Sequence, residues 1–343
     1  MTTSKKLESC DLYTVGWIAA LSLELAAATA MLDEEHEKPR GFEKPSTDHN
    51  TYTWGRIEGH NVVIASLAAG VYGTTSAATT AMSMLHSFPH IRVGLMVGIG
   101  AGIPWLERDR DIRLGDVVVC QPNGKNGGVL QYDLRKAKIK DKIEPMGFLN
   151  LPPQALLTAL STLQAQLERK PSKVPGFLEE MERNNPQMAR SKPGKPSYKH
   201  QGTENDRLFK SKYEHVGGLS CDNCDPSQQI IRIKRDSEEP EFHYGIIASG
   251  NTLIKDGVTR DSILQHTDEE NIFCFEMEAA GLMNNFPCLV IRGICDYVDS
   301  HKNDRWQRYA AATAAGYAKE FLGVVPSEDL KKTPKAADVM KSS

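Results

Sequence analysis

Three acidic positions in the 343-residue chain have the type and setting for acid–base chemistry: Glu24, the Glu276/Glu278 pair and Asp296. Each falls at the C-terminal end of a predicted strand, where open α/β sheets place their ligands. Each also has an equally simple structural reading, since Glu24 and Glu278 suit the first turn of a helix, where a carboxylate meets the positive end of the dipole. Asp296 follows the apolar run Val290-Ile-Arg-Gly-Ile-Cys295, and a half-buried carboxyl there is suited to protonate a leaving group. Two glycine turns, Gly98-Ile-Gly100-Ala-Gly102 and Gly70-Val-Tyr-Gly73, let backbone approach a flat or anionic ligand. The first is not a dinucleotide fingerprint, because Ile103 stands at its last position and Pro104 follows where a helix should begin. A tight turn without a ligand is the alternative for both. Cys221-Asp-Asn-Cys224 is half of a zinc motif. No second such pair accompanies it, only His200 and His215 upstream, and a packed thiol pair is favoured; neither a metal nor a cofactor is expected.

The pattern around these residues predicts an α/β layer fold, with short β-branched runs alternating with Ala-rich stretches. Residues 13–20 read as a strand entering a helix capped by Ser22. Residues 51–57 and 61–68 flank the hairpin signal Glu58-Gly-His60, and a helix is predicted over 74–86. Segments 92–98, 115–120, 243–249 and 288–293 read as buried strands, 274–283 as a strand-to-helix turn, and 304–322 as an Ala-rich helix. Residues 151–240 differ, holding nine of the eighteen prolines, and 168–200 carries eight Lys/Arg against four Asp/Glu. The expected organisation is an N-terminal tail (1–11), a single domain (12–323) with an insertion at about 151–242, and a flexible C-terminal tail (324–343). With 41 basic and 44 acidic residues the net charge is −3, which disfavours a generic nucleic-acid scaffold. At 40% hydrophobic and 25% charged, the composition is that of an ordinary globular chain. No run reaches ~18 apolar residues and the start lacks a signal-peptide core, so no membrane partner is expected and the location is read as cytoplasmic. Most of the seven cysteines read as reduced thiols.

Six segments, in order, carry a resemblance: Val15-Gly-Trp-Ile-Ala-Ala-Leu-Ser-Leu-Glu-Leu, Val97-Gly-Ile-Gly-Ala-Gly, Leu114-Gly-Asp-Val-Val-Val, Ala248-Ser-Gly-Asn, Phe275-Glu-Met-Glu-Ala-Ala and Arg292-Gly-Ile-Cys-Asp. Together they resemble the motifs of the purine and uridine phosphorylase superfamily, which includes the methylthioadenosine/S-adenosylhomocysteine nucleosidases. The resemblance spans roughly 12–322 apart from the insertion, and 271–322 is most similar to the fungal branch, in which this domain often precedes a nucleotide-binding switch module and repeats. It implies a mixed central sheet flanked by helices, a nucleoside phosphorylase/nucleosidase-like three-layer sandwich carrying the Pro-rich basic insertion. It also implies roles: Glu278 binds the ribose hydroxyls with Met277 against the sugar face, Asp296 protonates or hydrogen-bonds the purine N7, and Glu24 orients the attacking water. Arg292 would support the acid-bearing strand. Asn251, Leu253, Ile254 and Phe275 would hold the base opposite Ala101 and Gly102, with Gly98, Gly100, Gly70 and Gly73 shaping the turns.

Breaking an N-glycosidic bond needs stabilisation of an oxocarbenium-like sugar, an acid for the leaving group and a positioned nucleophile, and three carboxylates match those needs. Phosphorylases of this superfamily place an Arg before the glycine turn, a Ser within it and another Arg after the first strand. Here Leu95-Met-Val-Gly-Ile-Gly-Ala-Gly and Ser22-Leu-Glu24 stand in those regions, and Glu24 repels a phosphate dianion at close range. Water is the expected nucleophile, although the turn serine of the nucleosidases is also missing, with Gly100 nearest. The expected reaction is hydrolysis of adenine nucleosides or nucleotides, ATP being the leading nucleotide, to free base and ribose or its 5′-phosphates. His301, Lys302 and Arg305 are the groups expected to meet a 5′-phosphate, with basic clusters at 192–199, 210–212 and 232–235 behind them. The alternatives are a phosphate-dependent phosphorylase, a non-catalytic nucleotide sensor, and a glycosidase acting on a flipped base. The charge makes the last remote, so a small-molecule substrate and no nucleic-acid partner are expected. Relatives assemble as dimers, trimers or hexamers, which implies a homo-oligomer.

Overall fold

The computed structural model of the chain describes residues 5–137, 143–145, 147–218, 220–267 and 271–342. Its first half runs β1 (Lys5–Lys6), β2 (Val15–Ala19), α1 (Ser22–Ala30), β3 (Glu34–Glu37), β4 (Tyr52–Ile57), β5 (His60–Ser66), α2 (Thr74–Ser87) and β6 (Val93–Gly102). Strands β7 (Val117–Cys120), β8 (Val129–Gln131), β9 (Arg135–Ala137) and β10 (Ile143–Pro145) follow, then helices α3 (Gln154–Leu167) and α4 (Val174–Asn184). The chain closes with β11 (Phe242–Ser249), α5 (Gly257–Thr267), β12 (Ile272–Glu276), β13 (Cys288–Asp296), α6 (Gln307–Leu322), α7 (Ser327–Lys332) and α8 (Ala336–Ser342). The β4–β5 hairpin turns through Glu58 and Gly59, both at positive φ (47° and 89°), the backbone that matches the twist of its strands. Among the described residues, no helix is long and apolar enough to cross a membrane.

The sheet is mixed and flanked by helices, as the sequence implied, and its order is β1-β3-β4-β5-β2-β6-β12-β11-β7-β13. A further pairing of β13 with β6 joins the end of that path back to its middle, so β6, β12, β11, β7 and β13 form a closed ring. Closure explains the apolar runs: β13 is buried at all nine positions and β7 at all four, with no water-facing side to alternate against. Strand β6 is central, parallel to β2 on one side and to β13 on the other, and antiparallel to β12 at its C-terminal end. This topology brings the C-terminal ends of β2, β6, β12 and β13 together. Helix α6 covers β13 so closely that a Cβ on Gly293 would overlap the carbonyl oxygen of Ala310.

The expected insertion is not one piece. Leu156, Ala159, Leu160 and Leu163 of α3 lie on one helical stripe and, with Leu178 and Met181 of α4, join the main core. Only from about 185 to 241 does the chain wander without regular strands or long helices. Two of its arginines are internal ties: Arg232 pairs with Asp206 at 2.7 Å and Arg235 with Asp116 at 2.7 Å, which removes these two as phosphate ligands. The ends also differ from the expected tails. Strand β1 pairs with β3, Leu7 is buried, and Leu330 and Ala336 are buried against the core. Apolar side chains at both ends find surface to cover, which composition alone did not reveal.

Because β13 carries Arg292 and Asp296 while α6 presses on it, Gly293→Ala is expected to lower folding stability by about 3 kcal/mol through overpacking. A denaturant unfolding midpoint indistinguishable from wild type would contradict that packing.

Candidate active site

Arg292 sits in the middle of β13 with its side chain wholly excluded from solvent. A buried guanidinium requires acceptors. Glu276, the last residue of β12, ion-pairs with it directly, and Glu278 Oε2 lies 3.4 Å from its Nη2. Glu24, from the first turn of α1, is the third carboxylate in its field, and the three together hold Arg292 firmly charged. Glu276 also accepts the backbone N–H groups of Glu278 (3.1 Å) and Ala279 (3.0 Å), fixing the turn that presents Met277 and Glu278. That turn continues into a 3₁₀ segment, Ala279–Gly281, not into the α-helix the sequence suggested. Burial lifts the Glu278 carboxyl to about 7 against the pull of Arg292, with the charges of Glu276 and Glu24 adding to the rise.

Glu24 is positioned by the break between β2 and α1. The cap residue is Leu21 and not Ser22, and since leucine has no acceptor, Glu24 reaches back to the N–H groups of Ala20 (2.6 Å) and Leu21 (2.8 Å) through Oε2. Its Oε1 takes the Ile99 N–H at 2.7 Å, which ties α1 to β6. A carboxylate has roughly four acceptor sites. Three are filled by backbone, and the remaining one, on Oε1, has no partner among the described residues. Burial raises the Glu24 carboxyl, while Arg292 and the three N–H groups lower it. Gly98 is required here, because a Cβ would collide with Glu24 Oε1 and Arg292 Nη1.

Asp296 ends β13. It is buried (4% exposed), deeper than the half-buried position expected. One oxygen accepts the Val298 N–H at 3.0 Å, and the other faces Lys302 Nζ at 2.9 Å. Val298 has φ 57°, a left-handed backbone costly for a β-branched residue, so the loop leaving Asp296 is strained.

Glu24, Glu276, Glu278 and Asp296 all open on one cavity of about 530 Å³, within the ~300–1,000 Å³ range of small-ligand sites. Ile99, Gly100 and Ala101 form its floor, and Ala101 pairs with Phe275 on one side and Asp296 on the other. Leu253, Ile254, Phe275, Met277 and Val298 supply apolar wall. Tyr132, absent from the sequence reading, stands edge-on to Phe275 (centroids 5.2 Å apart) and donates its hydroxyl to the Thr252 carbonyl at 2.7 Å. Lys255, Asp304 and Gln307 also line the cavity and carried no motif that could have found them, whereas Tyr72 lies inside the Gly70–Gly73 turn, of which only the glycines were singled out.

Several expected site residues lie elsewhere. Gly102 is packed between Ile294 and Ile112, behind the cavity. Asn251 is committed to the α2 N-terminus, its Oδ1 accepting from Thr74 N at 3.0 Å. Gly73 caps α2 at φ 99° and offers its N–H to Glu278 Oε1 at 3.4 Å, whereas Gly70, also at positive φ, borders open space. Of the three groups expected to meet a 5′-phosphate, only Lys302 lines this cavity. His301 and Arg305 line a separate cavity of about 40 Å³, where His301 stacks on Phe209 (4.1 Å) and Arg305 hydrogen-bonds Asn205.

Closed ring, central glycine strand and carboxylates at converging strand ends define the nucleosidase and nucleoside phosphorylase fold, and solved structures agree. The chain is similar to the 5′-methylthioadenosine/S-adenosylhomocysteine nucleosidase of Neisseria meningitidis, with TM-score 0.55 and 15% identity over 91% of this chain and 99% of that one. It is equally similar to the futalosine hydrolase of Helicobacter pylori, with TM-score 0.55 and 15% identity over 92% of this chain and 99% of that one. No family model matches the sequence. Among curated proteins it is 43% identical over 323 residues to a nucleotide-binding leucine-rich repeat (NLR)-like protein of the fungus Hyaloscypha variabilis, and it spans 30% of that protein's length.

The raised Glu278 carboxyl makes stability depend on pH. Its pKa in the folded chain, about 7, lies above the ordinary 4.5, so the folded state holds the extra proton. This contribution is fully present below about pH 4.5 and is lost as pH rises toward 7. In Glu278→Gln the unfolding free energy is expected to fall less between those limits than in wild type. Parallel slopes in denaturant titrations across that range would refute it.

Proposed function

We propose that the chain hydrolyses the N-glycosidic bond of purine nucleosides, with adenine as the base. The observation that carries this reading is a nucleoside-sized cavity onto which Glu24, Glu278 and Asp296 all open. Glu278, held between Gly73 N and Arg292, is placed to accept the ribose hydroxyls while its negative charge stabilises the developing oxocarbenium ion. Asp296 faces the space beside Ala101 and acts on the departing base, with Lys302 neighbouring its outer oxygen. Glu24 uses its remaining acceptor site to orient the attacking water. Phe275, Tyr132, Leu253 and Ile254 enclose the flat base. The names of the similar solved proteins, a nucleosidase and a hydrolase, fit this chemistry.

Charge supports water over phosphate as the nucleophile. Five carboxylates and two lysines line the cavity, and the arginine beneath it is already shared among three of those carboxylates. A phosphate dianion would meet net repulsion at short range. Adenine release from adenosine is therefore expected at the same rate with and without added phosphate, followed by chromatography; strict phosphate dependence would replace this reading with a phosphorylase. Asp296→Asn and Glu24→Gln are each expected to lower kcat by roughly 10²–10⁴-fold, the usual contribution of a positioned acid or base. Turnover within a fewfold of wild type in either variant would remove that residue from the mechanism.

The 5′ end of the substrate meets Lys255, which is exposed, and Lys302. ATP is the nucleotide to compare first. If its phosphates reach Lys255, Lys255→Ala raises KM for ATP several-fold and leaves KM for adenosine unchanged. Equal KM changes for both substrates would limit the reading to nucleosides.

A further inference from the structure

The wandering segment between α4 and β11 brings together three side chains that the sequence kept apart. The ligand-capable atoms of His215, Cys221 and Cys224 lie within 4.8 Å of one another. In the sequence, Cys221 and Cys224 form half a zinc motif without a partner half; the fold supplies the missing imidazole from one turn upstream. Soft thiolates with an imidazole at this spacing are the donor set that tetrahedral zinc prefers.

The hydrogen bonds around His215 have the form of an outer shell. The Ser220 carbonyl, 3.0 Å from Nε2, can only accept, so Nε2 carries the proton. The Nδ1 lone pair is thereby left for another donor, and at present it takes the Gly217 N–H at 3.1 Å. An imidazole whose second nitrogen donates to a backbone carbonyl is the usual arrangement of a metal-bound histidine.

An independent observation comes from the other side. His301 is 6% exposed, its ring stands 5.5 Å from that of His215 at 81°, and neither of its nitrogens has a hydrogen-bond partner among the described residues. Its Nδ1 is 3.7 Å from Asp299 Oδ2, too far for a hydrogen bond. Buried imidazoles without partners are rare, because leaving both nitrogens unpaired forfeits their desolvation cost. Cys221 Sγ lies 4.0 Å from the His301 carbonyl oxygen, so the thiol pair also borders the backbone of this residue.

We propose that His215, Cys221 and Cys224 bind a structural zinc ion, the fourth position being taken by His301 or a water. Two thiolates, formed as the thiols release their protons, balance the charge of the ion. The three ligands cross-link the insertion to itself, and His301 as the fourth ligand joins it to the loop that leaves β13. The site reinforces the hydrogen bond from His215 N to Ser300 Oγ (3.0 Å), one residue from His301 and two from Lys302.

The test uses the untagged full chain, expressed with zinc and purified without chelator, with metal measured by plasma mass spectrometry. About one zinc per chain should survive gel filtration, and Cys224→Ser and His215→Ala should each lower that content at least about tenfold. Stripping wild type with a strong chelator should expose two further thiols to a thiol reagent, and zinc should protect them again; this readout needs no variant to fold. Zinc below roughly a tenth of an equivalent, both as purified and after zinc titration, would overturn the proposal. So would zinc retained undiminished in folded Cys224→Ser protein. None of these measurements depends on the glycosidic activity.

Discussion

The candidate site depends on one buried cation. Arg292 has no access to water, and a lone guanidinium there would cost several kcal/mol in lost solvation. Its three carboxylate partners come from two different segments: Glu276 and Glu278 flank the end of β12, and Glu24 lies in the first turn of α1. Neutralising Arg292 therefore requires β13, β12 and α1 to meet at one point. The converse also holds, since three carboxylates crowded at strand ends would repel one another without it. The residues proposed to handle the sugar and the water are thus the same ones that make the interior electrically tolerable, and the chemistry and the fold share one constraint.

Ring closure makes that meeting geometrically possible. Because β13 pairs with both β6 and β7, its register is fixed from two sides, and Arg292 and Asp296 take their depth from it. The glycines of β6 serve the same end: Gly98 leaves room for Glu24 and Arg292, and Gly100 for Cys274 and the Phe275 carbonyl. A side chain at either position would push β6 away from the groups it now touches. The turn serine that the resemblance led one to expect has no room where Gly100 lies against Cys274.

Much of the scaffold was legible because it rests on local physics. Apolar runs, the Glu58-Gly hairpin and the alanine pattern of α6 each determine their element within a few residues. Glu24, Glu278 and Asp296 were legible as carboxylates at strand ends. The pairing of Arg292 with Glu276 was half legible: an arginine inside an otherwise apolar run demands an acidic partner, but which one depends on strand order. Tyr132 and Lys255 were not legible, because they reach the cavity through loop paths that no periodicity encodes, and Gln307 opens α6, whose Ala-rich pattern does not show which way its first turn faces. The basic insertion misled for a related reason. Counting charges finds cations but not their partners: Asp111 and Asp116 lie well outside the insertion, and Asp206 stands 26 residues before the Arg232 it pairs with.

Those partners suggest what the insertion does. The loop after Asp296 passes through Val298 in a left-handed conformation that costs on the order of 1–3 kcal/mol and persists only where surroundings over-determine it. The surroundings are conspicuous. Arg232 donates to the Tyr297 hydroxyl at 3.0 Å, Arg260 to the Tyr297 carbonyl at 2.8 Å, and His215 N to Ser300 Oγ. Phe209 and Tyr213 stack on His301. Neighbouring residues consequently point apart, Lys302 toward Asp296 and the main cavity, His301 into the insertion. The segment read from composition as a phosphate-binding excursion is better understood as the external brace of a strained loop. It holds His301 on its own side, while Lys302 lies beside the proposed acid.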